Sequence, residues 1–263
     1  MLTYLRLAWT WSRALAQYPA SLAMLTAAQA AATAAELCAV LFVFGHTERL
    51  AGFTLHEALL VYGLAALAFS LADTLLGSVD RLGEHIRAGS FDVMLVRPVP
   101  ALVQIATDGF SPRRLGKTVP SAAALGWALW ELPIDWTPLR VAALPAFVVS
   151  GTVVCCSIWV IGACLQFAVV DAREVANSVT YGGQALTQYP LAVYGRDAAR
   201  AFTFVVPLAF VSWQPALYLL DRPDPLGMGA WLRAAPPGVA VGLALLAAAV
   251  WRSGVRRYRS TGS

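Results

Sequence analysis

The sequence predicts an all-α membrane protein, and three observations carry that expectation. The 263-residue chain is 59% hydrophobic and only 13% charged, with a mean hydropathy of +0.64; a soluble domain carries about 25% charged residues. Apolar stretches near span length recur along it, and at about 20 residues per span the length allows roughly six helices. One long polar island, Ser78 to Lys117, stands between two of those stretches. No other hydrophilic run is long enough for a soluble domain, so residues 1–263 read as one membrane domain.

Residues 1–18 open the chain. Arg6 and Arg13 interrupt the pattern Leu2, Leu5, Trp9, Leu15, and Trp11 adds interfacial character. No unbroken apolar core precedes Tyr18-Pro19, which argues against a cleavable signal peptide. The segment reads as an amphipathic helix lying along the interface, its tryptophans at headgroup depth. The first span, about Ala20 to Phe44, is long enough to cross with some tilt. Its one deep carboxylate, Glu36, has two readings: packed against a neighbouring helix, paired or protonated, or lining a polar translocation path. Gly45 to His56 is a short outer loop. The second span, about Glu57 to Gly77, carries Asp73 in its last turns.

The island cannot lie in hydrocarbon, because each buried charge costs several kcal/mol. It holds six cations, Arg81, Arg87, Arg97, Arg113, Arg114 and Lys117, which places it in the cytoplasm by the positive-inside rule. Residues 79–117 are therefore the cytoplasmic region between the second and third spans. A solvated loop is the plain reading, but the pattern is more structured. Leu82 and Ile86, then Phe91, Met94 and Leu95, recur at helical spacing between charges. Gly89-Ser90 breaks the helix, and Arg97-Pro98-Val99-Pro100 forces extended backbone. The expectation is two short helices, a turn and a stiff stop, with apolar knobs presented to a partner.

The third span is about Thr118 to Leu132, and the fourth about Arg140 to Val170. Asp171, Arg173 and Glu174 make a small cytoplasmic turn. Beyond it, hydropathy leaves a choice between Val175–Pro190 and Ala201–Leu220. The first, moderately apolar with Gln184 and Gln188, suits a fifth span facing a protein-lined cavity. The second, containing Pro207 and Pro215, suits broken, re-entrant helices. The sixth span, about Pro237 to Trp251, ends in Arg252, Arg256, Arg257 and Arg259. With both termini cytoplasmic, 13 of the 19 lysines and arginines fall inside and 6 outside, the expected sign of bias.

Several function classes find no support. His46, His56 and His85 are too dispersed for a metal set. Cys38, Cys155, Cys156 and Cys164 all lie in apolar stretches without ligand spacing. There is no phosphate loop, nucleophile elbow or zinc helix, and Tyr181-Gly182-Gly183 reads as close helix packing or a kink. Basic charge (net +4) fits loops facing anionic lipid better than nucleic acid. No cofactor is expected on this chain. A membrane domain with six spans, a shaped cytoplasmic helix and no nucleotide site fits a permease driven by a separate ATPase, which would hold ATP and magnesium.

The chain resembles the ABC-2-type transporter permeases, specifically a bacterial branch of about this length. Glu84-His85-Ile86-Arg87-Ala88-Gly89-Ser90-Phe91-Asp92, then Leu95-Val96-Arg97-Pro98-Val99, match a family pattern of Ile-Arg-x-Gly-x-x-Asp followed by Leu-x-Arg-Pro. Tyr189 to Tyr194, Val206 to Val211 and the ending Gly254 to Ser263 support it. The resemblance implies six spans with an interfacial N-terminal helix, a coupling helix after the second span and re-entrant helices before the sixth. It implies two ATP-binding subunits, a second permease (identical or homologous) and the inner membrane of a bacterium. By that resemblance Glu84, Ile86, Arg87, Gly89, Phe91, Asp92, Leu95, Arg97 and Pro98 would couple to the ATPase. Glu36, Gln184 and Gln188 are candidates for the substrate path, and Pro207 and Pro215 for an outer gate. The substrate class it suggests is a hydrophobic or cationic drug-like compound, or a lipid. A structural or assembly membrane protein is the alternative function, and a membrane-embedded lipid-modifying enzyme a further one.

Overall fold

A computed structural model describes residues 2–169 and 173–259. Val170, Asp171 and the last residues of the terminal motif, Ser260 to Ser263, lie outside them. Among the described residues the chain forms helices and one isolated bridge, Leu50 to Phe53, but no strand.

Helix α1 (Leu2–Leu15) is amphipathic as expected: Ala8 is buried, whereas Leu5 and Trp9 are exposed. The Tyr4 hydroxyl donates to the Leu75 carbonyl at 2.8 Å, fastening α1 to the end of the second span. Helix α2 (Pro19–His46) starts on a proline, whose fixed φ suits a first turn. Most of its surface is uncovered by the rest of the chain. Helix α3 (Leu55–Leu76) opens with the Glu57 carboxylate accepting from the Thr54 N–H at 2.8 Å, and nearly every face of it is buried.

The central position of α3 follows from its small residues. Hydrocarbon offers no water to escape, so helices associate through close packing. Ala58, Ala65, Ala66, Ala68 and Ala72 let neighbours approach, while Leu59, Leu60, Tyr62 and Leu64 fill the space between. Gly63 is the tightest point. A Cβ there would stand 2.7–2.8 Å from Leu125, on helix α7 (Thr118–Glu131).

Between α3 and α7 the island folds into α4 (Leu82–Arg87), α5 (Ser90–Val96) and α6 (Ala101–Thr107), flanked by 3₁₀ turns at Gly77–Arg81 and Pro112–Lys117. Helix α8 (Pro138–Cys164) continues as a 3₁₀ turn over Leu165–Phe167. Then come α9 (Arg173–Thr187), α10 (Arg196–Phe204), α11 (Trp213–Leu219) and α12 (Pro236–Arg257).

Four helical stretches are long and apolar enough to cross a bilayer: Pro19–His46, Leu55–Arg87, Pro138–Phe167 and Pro236–Arg257. A fifth exists if the bent pair Arg196–Phe204 and Leu208–Leu219 counts as one span. This is a multi-pass membrane protein. The stretches expected as third and fifth spans are helices, but α7 has 14 residues and α9 has 15. At 1.5 Å per residue they reach about 21–22 Å against a hydrocarbon core of about 30 Å.

The axis turns by 83° between Arg196–Phe204 and Leu208–Leu219, so the segment with two prolines is broken, and Pro207 stands at the break. Pro215 adds no second bend. It is the third residue of α11, where the missing N–H has no intrahelical acceptor to lose.

Candidate coupling surface and polar path

The island forms the hairpin its punctuation predicts. Gly89 adopts φ +68°, ψ 0° between α4 and α5, a left-handed conformation that costs glycine little. Ser90 Oγ lies 3.0 Å from His85 Nδ1, tying the two helices. Arg97 is extended (φ −78°, ψ 147°), as a residue before proline must be. The Gln104 amide then donates to the carbonyls of Met94 (2.8 Å) and Val99 (2.7 Å), fixing the stiff stop against α5.

The hairpin is bonded to two membrane helices. Gln166, wholly buried at the end of α8, accepts from the Gly83 N–H at 2.6 Å and donates to the Asp80 carbonyl at 3.1 Å. The Gly83 N–H belongs to the first turn of α4 and has no helical acceptor, so a side chain 83 positions away caps it. An aromatic cluster extends the joint. The Phe91 ring meets Phe167 (centroids 5.6 Å apart) and Tyr258 (5.0 Å), and Phe167 meets Trp251 of α12 at 5.5 Å. Leu82, Ile86 and Met94 are buried beside it, with Val160 and Ala163 of α8.

Ile86 and Phe91 therefore point into the chain, which corrects the picture of both as outward apolar knobs. Packed on Phe167 and Tyr258, the Phe91 ring is wholly buried. Glu84, Arg87, Leu95, Arg97 and Pro98 remain exposed, as do Val93 and Val96. Asp92 is half-buried. The Tyr258 hydroxyl has its pKa raised, first by burial and then by the neighbouring Asp92 carboxylate.

Charge at this end is partly spent on internal pairs. Asp108 accepts from Arg81 at 3.4 Å and stands 3.3 Å from His85 Nε2. Asp73, nearly buried, pairs with Lys117 at 3.1 Å and with Arg114 at 3.7 Å. Arg114 also donates to the Asp73 carbonyl at 2.9 Å. These bonds join the end of α3 to the turn that starts α7.

Two of the three expected path residues meet. Gln188, buried just after α9, donates to the Glu36 carboxylate of α2 at 2.8 Å. Glu36 is otherwise exposed on the uncovered face of α2, and Gln184 is half-buried one turn before Gln188 and outside the pair. At the opposite end of the molecule, Arg222 donates to Glu57 at 2.8 Å and to the Gly52 carbonyl at 2.8 Å, its guanidinium lying 4.3 Å from the Phe53 ring centre. Asp221 pairs with Arg140 at 3.2 Å beside a cavity of about 500 Å³.

Sequence reasoning passed over Gln104, Gln166, Phe167 and Tyr258. Gln166 carried one usable signal, a polar residue in the last turn of an apolar span, which must find a partner once buried. Among comparisons with known proteins, residues 30–262 match the model of a family described as ABC-2 family transporter protein. No curated protein matches the chain, and no solved structure does.

Proposed function

The chain belongs to the ABC-2 family of transporter proteins, and from that premise we propose that it is the permease subunit of an ATP-binding cassette exporter. It spans a bacterial plasma membrane six times with both termini in the cytoplasm, α7 and α9 completing the set as short spans. Two ATP-binding subunits, holding ATP and magnesium, grip the exposed side of the α4–α5 hairpin through Glu84, Arg87, Leu95, Arg97 and Pro98. A second permease, identical or homologous, completes the translocation path. Glu36 and Gln188 line that path, and the bend at Pro207 forms its outer gate. The cargo is a hydrophobic or cationic drug-like compound or a lipid.

The observation that carries this reading is the joint behind the hairpin. A loop that only tethered two spans would need no buried glutamine cap and no shared aromatic cluster. Here Gln166 and Phe91 bond the hairpin to α8 and α12, so a push on its exposed side moves two membrane helices as one body. The exposed side offers cations beside apolar residues, a surface suited to a partner protein.

The test is charge reversal on that exposed side. Arg87→Glu with Arg97→Glu, expressed with the companion ATPase, should abolish transport-coupled ATP hydrolysis while the protein inserts and elutes as the parent does. Unchanged coupling in the double variant refutes the assignment.

A further inference from the structure

The basic end of α12 differs from the basic island in one respect. In the island, Arg114 and Lys117 pair with Asp73 of α3, and Arg81 with Asp108. Arg252, Arg256, Arg257 and Arg259 crowd the end of α12, and among the described residues no carboxylate pairs with Arg252 or Arg257. The helix C-terminus supplies only about half a negative charge, too little for this cluster.

Apolar grooves lie beside these charges. One, of about 290 Å³, runs between α8 and α12 and is lined by Val153, Val160, Ala244, Ala248 and, at its end, Arg252. Another, of about 410 Å³, is lined by Phe167, Val250, Ser253 and, at its end, Arg257. Five residues at 100° each put Arg252 and Arg257 about 140° apart around α12, which is why each faces a different groove. The first groove extends from Ala244 to Arg252, about 12 Å along the helix. Its wall follows α12, a stretch long and apolar enough to cross a bilayer, and is closed at the Arg252 end by Leu76 of α3 and Leu102 of α6.

We propose that these grooves are two binding sites for anionic phospholipid, the acyl chain lying against α8 and α12 and the phosphate held by Arg252 in one and Arg257 in the other. Guanidinium forks match phosphate oxygens in geometry and charge, and basic pockets between membrane helices bind anionic headgroups. An acidic segment of a partner protein would satisfy the charge but would leave the mainly apolar walls of the grooves, formed by α8 and α12, unfilled. Occupied sites would also brace α12 against α8, the pair to which the hairpin is bonded.

The experiment counts lipid on the delipidated full chain by native mass spectrometry. Phosphatidylglycerol and phosphatidylcholine with identical acyl chains are compared. Two anionic lipids should be retained at concentrations where the zwitterionic lipid is lost. Arg252→Gln and Arg257→Gln should each weaken one site about five-fold, and raised salt should weaken both. Ala248→Phe keeps Arg252 but fills the first groove, and should remove one lipid without touching a charge. If an arginine variant fails to fold, the lipid comparison and Ala248→Phe still decide. Equal retention of the two lipids overturns the proposal, as does normal binding by Ala248→Phe. Competition by glycerol phosphate as strong as by the whole lipid would reduce the sites to headgroup anion sites and overturn it equally.

Discussion

Replacing Gln166 with leucine should loosen the α4–α5 hairpin while leaving the membrane helices in place. The side chain is wholly buried and serves two backbone groups, the Gly83 N–H at 2.6 Å and the Asp80 carbonyl at 3.1 Å. Leucine has nearly the same volume, so no large cavity opens and packing is a minor loss. The cost lies in two lost hydrogen bonds, one fully buried at the Gly83 N–H and one part-buried at the Asp80 carbonyl, each worth about 1–3 kcal/mol. The lower end of that range, about 2 kcal/mol in all, already raises local opening roughly 30-fold. Amide hydrogen exchange over residues 80–88 of the detergent-solubilised protein reads this directly. Exchange there should accelerate by that factor or more, while amides of α3 keep their protection. Coupled ATP hydrolysis in the assembled transporter should fall with it. Unchanged exchange in α4 would refute the claim that Gln166 holds the hairpin. Faster exchange with full coupling would instead refute the hairpin as the route of force.

Two further outcomes follow from the same structure. Gly63→Ala places a methyl group 2.7–2.8 Å from Leu125 and should cost about 1–3 kcal/mol through overpacking, seen as a lowered Tm. Gly45→Ala, where a Cβ meets nothing within 4 Å, should leave Tm unchanged or slightly raised. Burial pushes the Tyr4 phenol up to about 12 from its ordinary 10. A raised folded-state value favours the neutral folded form. Its contribution to docking α1 is therefore complete below pH 10 and lost as pH rises from 10 towards 12. Ultraviolet difference titration of the parent against Tyr4→Phe should show a phenol ionising near the upper end of that window, and one ionising near 10 contradicts the docking of Tyr4 on Leu75.

The hairpin was legible because its signals are local. A glycine at the required left-handed turn, hydrophobic spacing on either side and a proline-bracketed stop act within about 20 residues of one another. The break at Pro207 was legible for the same reason. The inward packing of Ile86 and Phe91 was not, because spacing shows that residues share a face without showing what covers it. Much of their cover comes from α8 and α12, about 70 or more positions away. The Glu36 ambiguity has the same origin: the sequence offers both a carboxylate and glutamines, but only the fold brings Gln188, and not Gln184, to within 2.8 Å. The number of spans was hardest. The expected bounds of α7 and α9 lie within about three residues of the helices found, but hydropathy does not show whether a helix of 14 or 15 residues crosses the bilayer.

Helix α3 is pinned at either tip. One tip carries Asp73, clasped by Lys117 and Arg114, and the other Glu57, clasped by Arg222. Between them α3 runs 16 residues, about 24 Å at 1.5 Å per residue. A rod so anchored has little freedom to slide past its surroundings: when one end is displaced, the carboxylate at the far end drags its arginine along. The two faces of the molecule thus share a mechanical axis, and motion delivered at the hairpin can arrive at the opposite rim without any relay of rotamers through the bundle.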